Sequence, residues 1–370
     1  MNIKEIFTPS FLVDLNVLED NISDMADVCR RNGKNLWPMV KTHKSSEIAK
    51  MQRDAGAEGF LVGTVDEAEV LVDSGFKNIM LAYPVLGKEN IQRIVRLAKK
   101  ARIIAAFDGE DAAIQLNEML VKDDMCMEYL IIIDCGLHRF GVSPESAGQL
   151  QERLSRYGNL KLRGISTHPG QVYGASNMKE VQEVARIEVE ALETAVKSLK
   201  QRDYNPDIVA TGSTPTAKFV VKSDIITVLR PGNYVFYDNI HIALGVVPAE
   251  RCALTVLATV ISSPNRDTFI IDAGSKCFGL DKGAHGISLV NGFGYVKGHP
   301  ELIVSNLSEE VATIRVKGET DIKIGEKVEI IPNHACSSAN MTSYLVGRRN
   351  GTIEKTVCID ARGGSLKKLA

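Results

Sequence analysis

Residues 59–84 read GFLVGTVDEAEVLVDSGFKNIMLAYP. An apolar run at 59–64 gives way to apolar residues at helical spacing, Val65, Ala68, Val70 and Leu71, and a second apolar run follows at 78–84. A period that changes from strand to helix and back predicts a βαβ unit on a parallel sheet, with Thr64 or Asp66 as the helix cap. The unit recurs. Runs at 35–41, 102–108, 129–135, 162–168, 207–214 and 225–230 bring the total to eight between about residue 20 and residue 235. Helical patterns lie between them, at Ile91–Ala98 and, longest, at 177–200. Eight evenly spaced strands predict an α/β (β/α)8 TIM barrel rather than an open doubly wound sheet.

Beyond about residue 240 the pattern changes to short strand-like runs, at 253–262, 268–272, 309–316, 327–331 and 351–360, separated by turn signals such as SPNRD, NGFG and KIGE. This predicts a mostly antiparallel β domain. The expected division is a barrel over residues 16–240 and a β domain over residues 241–370, to which residues 1–15 return.

The chain has 370 residues, with 44 Lys plus Arg against 46 Asp plus Glu. Charges that nearly cancel leave no electrostatic footprint for nucleic acid or an anionic membrane. Seven scattered Cys without a CxxC pair argue against a disulfide framework or zinc ribbon and for a reducing cytoplasm. Cys126 and Cys135 read as core. No segment approaches the ~20 apolar residues of a membrane span, and the apolar stretch at Phe11–Val13 is too short for a signal sequence. A soluble, cytoplasmic protein is expected.

In a barrel, chemistry sits at the C-terminal strand ends. Those ends are polar here: Lys41-Thr42-His43-Lys44 after the first strand, Asp134 to Arg139 after the fifth, His168-Pro169-Gly170 with Tyr173 after the sixth, Gly212-Ser213-Thr214 after the seventh, and Arg230-Pro231-Gly232-Asn233-Tyr234 after the eighth. A Lys at an interior strand end is either emerging into solvent or is a carbonyl nucleophile; Lys41 is the Schiff-base candidate and Lys44 its rival. The seventh and eighth loops offer backbone N–H groups and hydroxyls where barrels bind phosphate. A Schiff-base Lys facing a phosphate cradle points to pyridoxal 5'-phosphate. In the β domain, His334 and Cys336 of PNHAC share a face if the stretch is extended. They form either half of a zinc site with open positions or a half-buried His beside a buried Cys. His168 is read as a cofactor-ring neighbour or a structural residue, His138 as exposed or structural, and His285 and His299 as surface residues.

Together, VKTHK (40–44), LAYPV (81–85), DCGxxRxGV (134–142), HPGQVYG (168–174), TGSTPT (211–216), LRPGNYVFYD (229–238), GHPEL (298–302) and PNHAC (332–336) resemble the D-serine dehydratase and D-threonine aldolase family. These are fold-type III pyridoxal phosphate enzymes, whose barrel is similar to the alanine racemase N-terminal domain. The resemblance implies that Lys41 carries the cofactor as a Schiff base and acts as base on the α-carbon. Arg139 and Tyr173 would adjoin the ring, with His168 near it. Gly212, Ser213, Thr214, Gly232, Asn233 and Tyr234 would hold the phosphate. His334 and Cys336 would bind a divalent metal, zinc ahead of manganese or magnesium, and His43 would face the substrate hydroxyl. Where members often carry Arg-Pro-His, this chain has Trp37-Pro38-Met39, which removes two polar groups near the cofactor.

The implied activity is a lyase on small D-β-hydroxy-α-amino acids, as a homodimer. Dehydration of D-serine or D-threonine is expected ahead of aldol cleavage, because the His-x-Cys pair and GSTPT lean to the dehydratases. An amino-acid racemase would need a second opposed base, for which Tyr344 is the only candidate seen. A non-catalytic cofactor carrier would lack the β domain.

Overall fold

Strand runs that are apolar on both faces must be covered on both, and the chain meets this demand by closing the sheet into a cylinder and ringing it with helices. The computed structural model describes residues 5–363; the domain expectations for residues 1–4 and 364–370 fall outside the described residues. After β1 (Ser10–Asp14), the eight barrel strands follow in chain order: β2 (Asn35–Leu36), β3 (Phe60–Val62), β4 (Asn78–Leu81), β5 (Arg102–Phe107), β6 (Met127–Ile133), β7 (Leu160–Thr167), β8 (Ile208–Thr211) and β9 (Val228–Leu229). Each falls within or overlaps one of the eight runs read from the sequence. They pair in the order β2-β9-β8-β7-β6-β5-β4-β3, and a parallel bridge between Met39 and Leu61 closes the ring.

The helices start where their caps stand. Thr64 accepts from Glu67 N and starts the helix Val65–Asp73. Asn177 accepts from Lys179 N and Glu180 N and starts the helix Met178–Lys200.

The second sheet contains β10 (Leu254–Asn265), β11 (Thr268–Ile271), β12 (Tyr295–Val296), β13 (Leu302–Leu307), β14 (Ala312–Val316), β15 (Lys327–Ile331), β16 (Tyr344–Arg349) and β17 (Thr352–Cys358). The path β11-β14-β13-β12-β15-β10 returns on itself through a β10–β11 pairing, making a closed antiparallel barrel, and β1, β16 and β17 extend it. β1 pairs with β10 and β16 before the chain enters the first barrel helix.

One sequence expectation fails here. Cys126 is exposed rather than core, because it lies in the turn between the helix Asp111–Lys122 and β6. Trp37 of the Trp-Pro-Met stretch fills the barrel interior with Met39, Leu61, Met80 and Leu130, and Met39 of the same stretch also lines the cavity described below.

Gly59 makes room for that indole. A Cβ on Gly59 would stand 2.5 Å from two ring carbons of Trp37, closer than any real contact. Gly59→Ala is expected to cost about 1–3 kcal/mol by overpacking, read as a lowered urea midpoint, and Trp37→Leu in the same chain should recover part of it. Equal midpoints for Gly59→Ala and wild type would show that the ring gives way freely.

Candidate active site

The polar strand ends converge on one cavity of about 510 Å³ at the C-terminal mouth of the barrel, roofed by residues of the β domain. Lys41 lies in a single 3-10 turn, Val40–Thr42, that follows β2, and its side chain lines the cavity. Its Nζ has no hydrogen bond or ion pair among the described residues. Lys44 also lines the cavity, but its Nζ lies 3.3 Å from the carboxylate of buried Glu67, whose other oxygen accepts from Gly63 N at 2.7 Å. The two lysines are thereby distinguished: one amine is free and the other is neutralised.

His43 does not reach the cavity. In an extended strand Lys41 and His43 would share a face, but a 3-10 turn of three residues per turn sends i and i+2 apart. The His43 ring is fully buried behind the turn, where Nδ1 accepts from Ser45 N at 3.1 Å. Burial lowers its pKa to about 4. Tyr234 is likewise displaced, its fully buried hydroxyl accepting from Gln52 Nε2 at 2.9 Å; only its backbone belongs to the cradle loop.

The cradle residues Gly212, Ser213, Thr214, Gly232 and Asn233 all line the cavity. Gly212 has φ +106°, in the range that favours glycine, and its N–H donates to Glu188 Oε1 at 2.9 Å. Glu188, from the long helix, also accepts from the Thr211 hydroxyl, so a buried carboxyl under the β8 loop sets the loop's shape. Burial raises its pKa to about 7. Thr214 Oγ1 is buried without a hydrogen-bond partner among the described residues. A Cβ at Gly232 would fall 2.9 Å from Thr42 Oγ1 and 3.0 Å from Met39, so this close approach demands glycine.

Two arginines face the cavity at different depths. Arg139 is exposed at the mouth, its guanidinium over the rings of Tyr83 (5.5 Å) and Phe140 (5.4 Å). Arg230 is buried on the floor and donates to Thr167 O, with Nε unpartnered among the described residues; burial lowers its pKa to about 10. The sequence reading chose Arg139 and passed over Arg230, although Arg-Pro-Gly directly after a strand was the signal. His168 and Tyr173 line the wall, and burial holds the His168 imidazole neutral.

The β domain contributes His334, Cys336, Ser337 and Asn340, and also His285, which the sequence reading assigned to the surface. PNHAC is not extended throughout: His334 caps the short helix Ala335–Ala339 and Cys336 stands in its first turn. Both side chains nevertheless reach the cavity. His334 Nδ1 lies 3.0 Å from Asp281 Oδ2, and Cys336 Sγ lies 3.3 Å from Thr42 Oγ1. Burial opposes charge on both partners, but their mutual attraction prevails, raising the His334 pKa and lowering that of Cys336.

Residues 13–239 match the sequence profile of the alanine racemase N-terminal domain, and residues 253–347 that of a serine dehydratase domain. The chain belongs to the alanine racemase N-terminal domain family. It is 30% identical to the D-threo-3-hydroxyaspartate dehydratase of Delftia sp. (94% of this chain and 96% of the relative) and 29% identical to the D-serine dehydratase of Dictyostelium discoideum (92% and 93%). The solved D-threonine aldolase of Filomicrobium marinum superposes with a TM-score of 0.89 at 26% identity, covering 98% of this chain and 97% of the other. A metal-free mutant form of D-threo-3-hydroxyaspartate dehydratase gives 0.89 at 28% identity, covering 97% and 99%. The family expected from the motifs is therefore the family found, with the alanine racemase-like barrel and the β domain both present.

Glu188 gives the cofactor-free protein a pH signature. Its folded pKa lies above the unfolded value of 4.5, so its stabilising contribution is present below pH 4.5 and is lost as pH rises through about 7. Gln keeps the acceptor for Thr211 and Gly212. Glu188→Gln is expected to remove a fall in stability of order 3 kcal/mol between those pH values, measured as the difference between the pH profiles of thermal unfolding for wild type and variant. Parallel profiles would show that Glu188 is not proton-loaded when folded.

Proposed function

We propose that the protein is a pyridoxal phosphate- and zinc-dependent lyase of D-β-hydroxy-α-amino acids, acting as a D-serine or D-threonine dehydratase. The observation that carries this is the convergence, on one cavity, of an unpaired lysine, a glycine and hydroxyl cradle, and an imidazole–thiol pair.

The residues fit the cofactor. Lys41 offers a free amine, the orphaned Thr214 hydroxyl and the crowded Gly232 suit a phosphate, and Arg230 Nε is a buried donor awaiting an acceptor. They also fit the metal. Imidazole and thiolate are zinc donors, and a carboxylate on the far ring nitrogen of a ligating histidine, as Asp281 stands to His334, orients such a ligand.

When bound, the cofactor supplies an electron sink for the α-carbon and the metal a Lewis acid for the β-hydroxyl. Lys41 Nζ takes the α-proton. Ser213, Thr214 and the loop amides at Gly232 and Asn233 would hold the phosphate, Arg230 on the cavity floor would offer the cofactor its buried donor, and Arg139 stands at the mouth. Loss of the hydroxyl with the α-proton expels one water and leaves an enamine, whose imine tautomer takes up one water on hydrolysis to give a keto acid and ammonia.

Aldol cleavage to glycine and an aldehyde is the second reading, since one related structure is an aldolase. It needs a base at the β-hydroxyl. His43, the imidazole expected in that role, is sealed from the cavity, and the two neutral imidazoles that reach it, His168 and His285, bond to each other. This favours elimination. The cytoplasmic and homodimeric assignments rest on cysteine usage and the resemblance; among the described residues, no helix is long and apolar enough to cross a membrane.

The zinc-loaded holoenzyme is expected to convert D-serine, and not L-serine, to pyruvate and ammonia. Borohydride reduction followed by peptide mapping should find the pyridoxyl group on Lys41. Label on Lys44, or turnover of the L-enantiomer alone, would refute the assignment.

A further inference from the structure

The roof of the cavity is a glycine-rich excursion of the β domain, residues 279–294, tied down by Asn333 Nδ2, which donates to Asp281 O and Gly292 O at 2.9 Å each. At its tip Ile287 N donates to Ala284 O at 3.1 Å, and the two central residues, His285 and Gly286, have φ +56° and +80°. Two successive positive φ values in a four-residue turn are the mark of type I′, which favours Asn, Asp or Gly at both positions. A histidine held there is uncommon. Such outliers gather at functional sites, and here the side chain points inward to the cavity.

The ring is met on three sides. His285 Nδ1 lies 3.3 Å from Arg139 Nη1 and Nε2 lies 3.3 Å from His168 Nε2, while Tyr173 packs against the ring at 5.6 Å. The barrel leaves space for it: a Cβ on Gly170 would fall 2.7 Å from Leu137 Cδ2, at the end of a flexible side chain, and 2.9 Å from His285 Nε2 and 3.0 Å from its Cδ2. The hydrogen-bond roles follow from chemistry alone. A guanidinium only donates, so Nδ1 accepts, the proton is on Nε2, and His168 Nε2 accepts in turn. Arg139 has no carboxylate partner among the described residues, so this imidazole is its one polar anchor.

We propose that His285 is an active-site positioning residue, carried from the β domain to the barrel mouth, that fixes the direction of Arg139 and the tautomer of His168 for the substrate. This rests on the lyase reading above. The role requires an acceptor nitrogen and a donor nitrogen on the same ring, which separates it from space-filling.

The test uses the cofactor- and zinc-loaded protein with D-serine. His285→Ala should retain the bound cofactor and its visible absorbance but lose on the order of 100-fold in kcat/KM, the scale expected when groups around a substrate are misplaced by about an ångström. Free imidazole should restore part of this loss, measured against wild type at the same imidazole concentration. Pyrrole, with the same shape and an N–H but no acceptor nitrogen, should not.

Gly170→Ala should reproduce the loss by displacing the ring, and should add little in the His285→Ala background. Any of three results overturns the inference: a His285→Ala enzyme within about threefold of wild type, rescue by pyrrole equal to that by imidazole, or full additivity with Gly170→Ala. A wild-type protein that turns over no D-amino acid overturns the lyase reading instead.

Discussion

Asp238 lies, fully buried, at the join between the loop after β9 and the PNHAC turn. One carboxylate oxygen accepts from Asn233 Nδ2 at 2.5 Å and from Ala335 N at 3.0 Å. The other accepts from His241 N at 3.2 Å and lies 2.5 Å from His241 Nδ1. Asn233 belongs to the loop after β9, and Ala335 lies between His334 and Cys336, so one charge connects both candidate sites. Burial works against that charge, but His241, His334 and the Ala335 amide hold its pKa below the usual carboxylate range. Stripping a partner from a buried charge costs several kcal/mol, so the barrel mouth and the PNHAC turn form one unit. Asn239 and Asn333 reinforce it with a side-chain bond of 2.8 Å.

This join explains why residues separated by nearly three hundred positions can share one cavity. The β domain does more than cover the barrel. It supplies an imidazole and a thiol from one turn and a second imidazole from a glycine-rich tip, while the barrel supplies the lysine amine and the glycine and hydroxyl loops. Lys41 and Cys336 are brought into register through Thr42, whose hydroxyl touches the sulfur and whose neighbourhood forces glycine at position 232.

Much of this was legible in the sequence because the relevant signals are local. Eight apolar runs alternating with helical periods marked eight strands in order, and of the two caps offered for the helix after β3 the structure uses Thr64. Lys41 stood out as a lysine at a strand end. The failures are also local in origin. His43 was placed at the substrate hydroxyl by the resemblance, but the chain turns into a 3-10 helix at Lys41 and carries the ring behind the turn. PNHAC was read as extended and is half helical, yet its two side chains still meet the cavity because the cap residue and the first turn both face it. β12, with two residues, and β16, carrying two arginines, lack an apolar run long enough to notice. His285 was missed because a glycine-rich loop has no period at all, and the only sign, a histidine where a turn prefers glycine or asparagine, acquires meaning once φ is known.

The central claim is that Lys41 and the His334–Cys336 pair act together on a β-hydroxy amino acid. D-threonine is the most direct probe, because each route leaves different products from the same molecule. Incubation of the cofactor-loaded protein with D-threonine should give 2-oxobutanoate and ammonia, disappear when the metal is chelated and return with added zinc. Glycine and acetaldehyde would contradict the dehydratase assignment, and turnover indifferent to chelation would contradict the role given to His334 and Cys336.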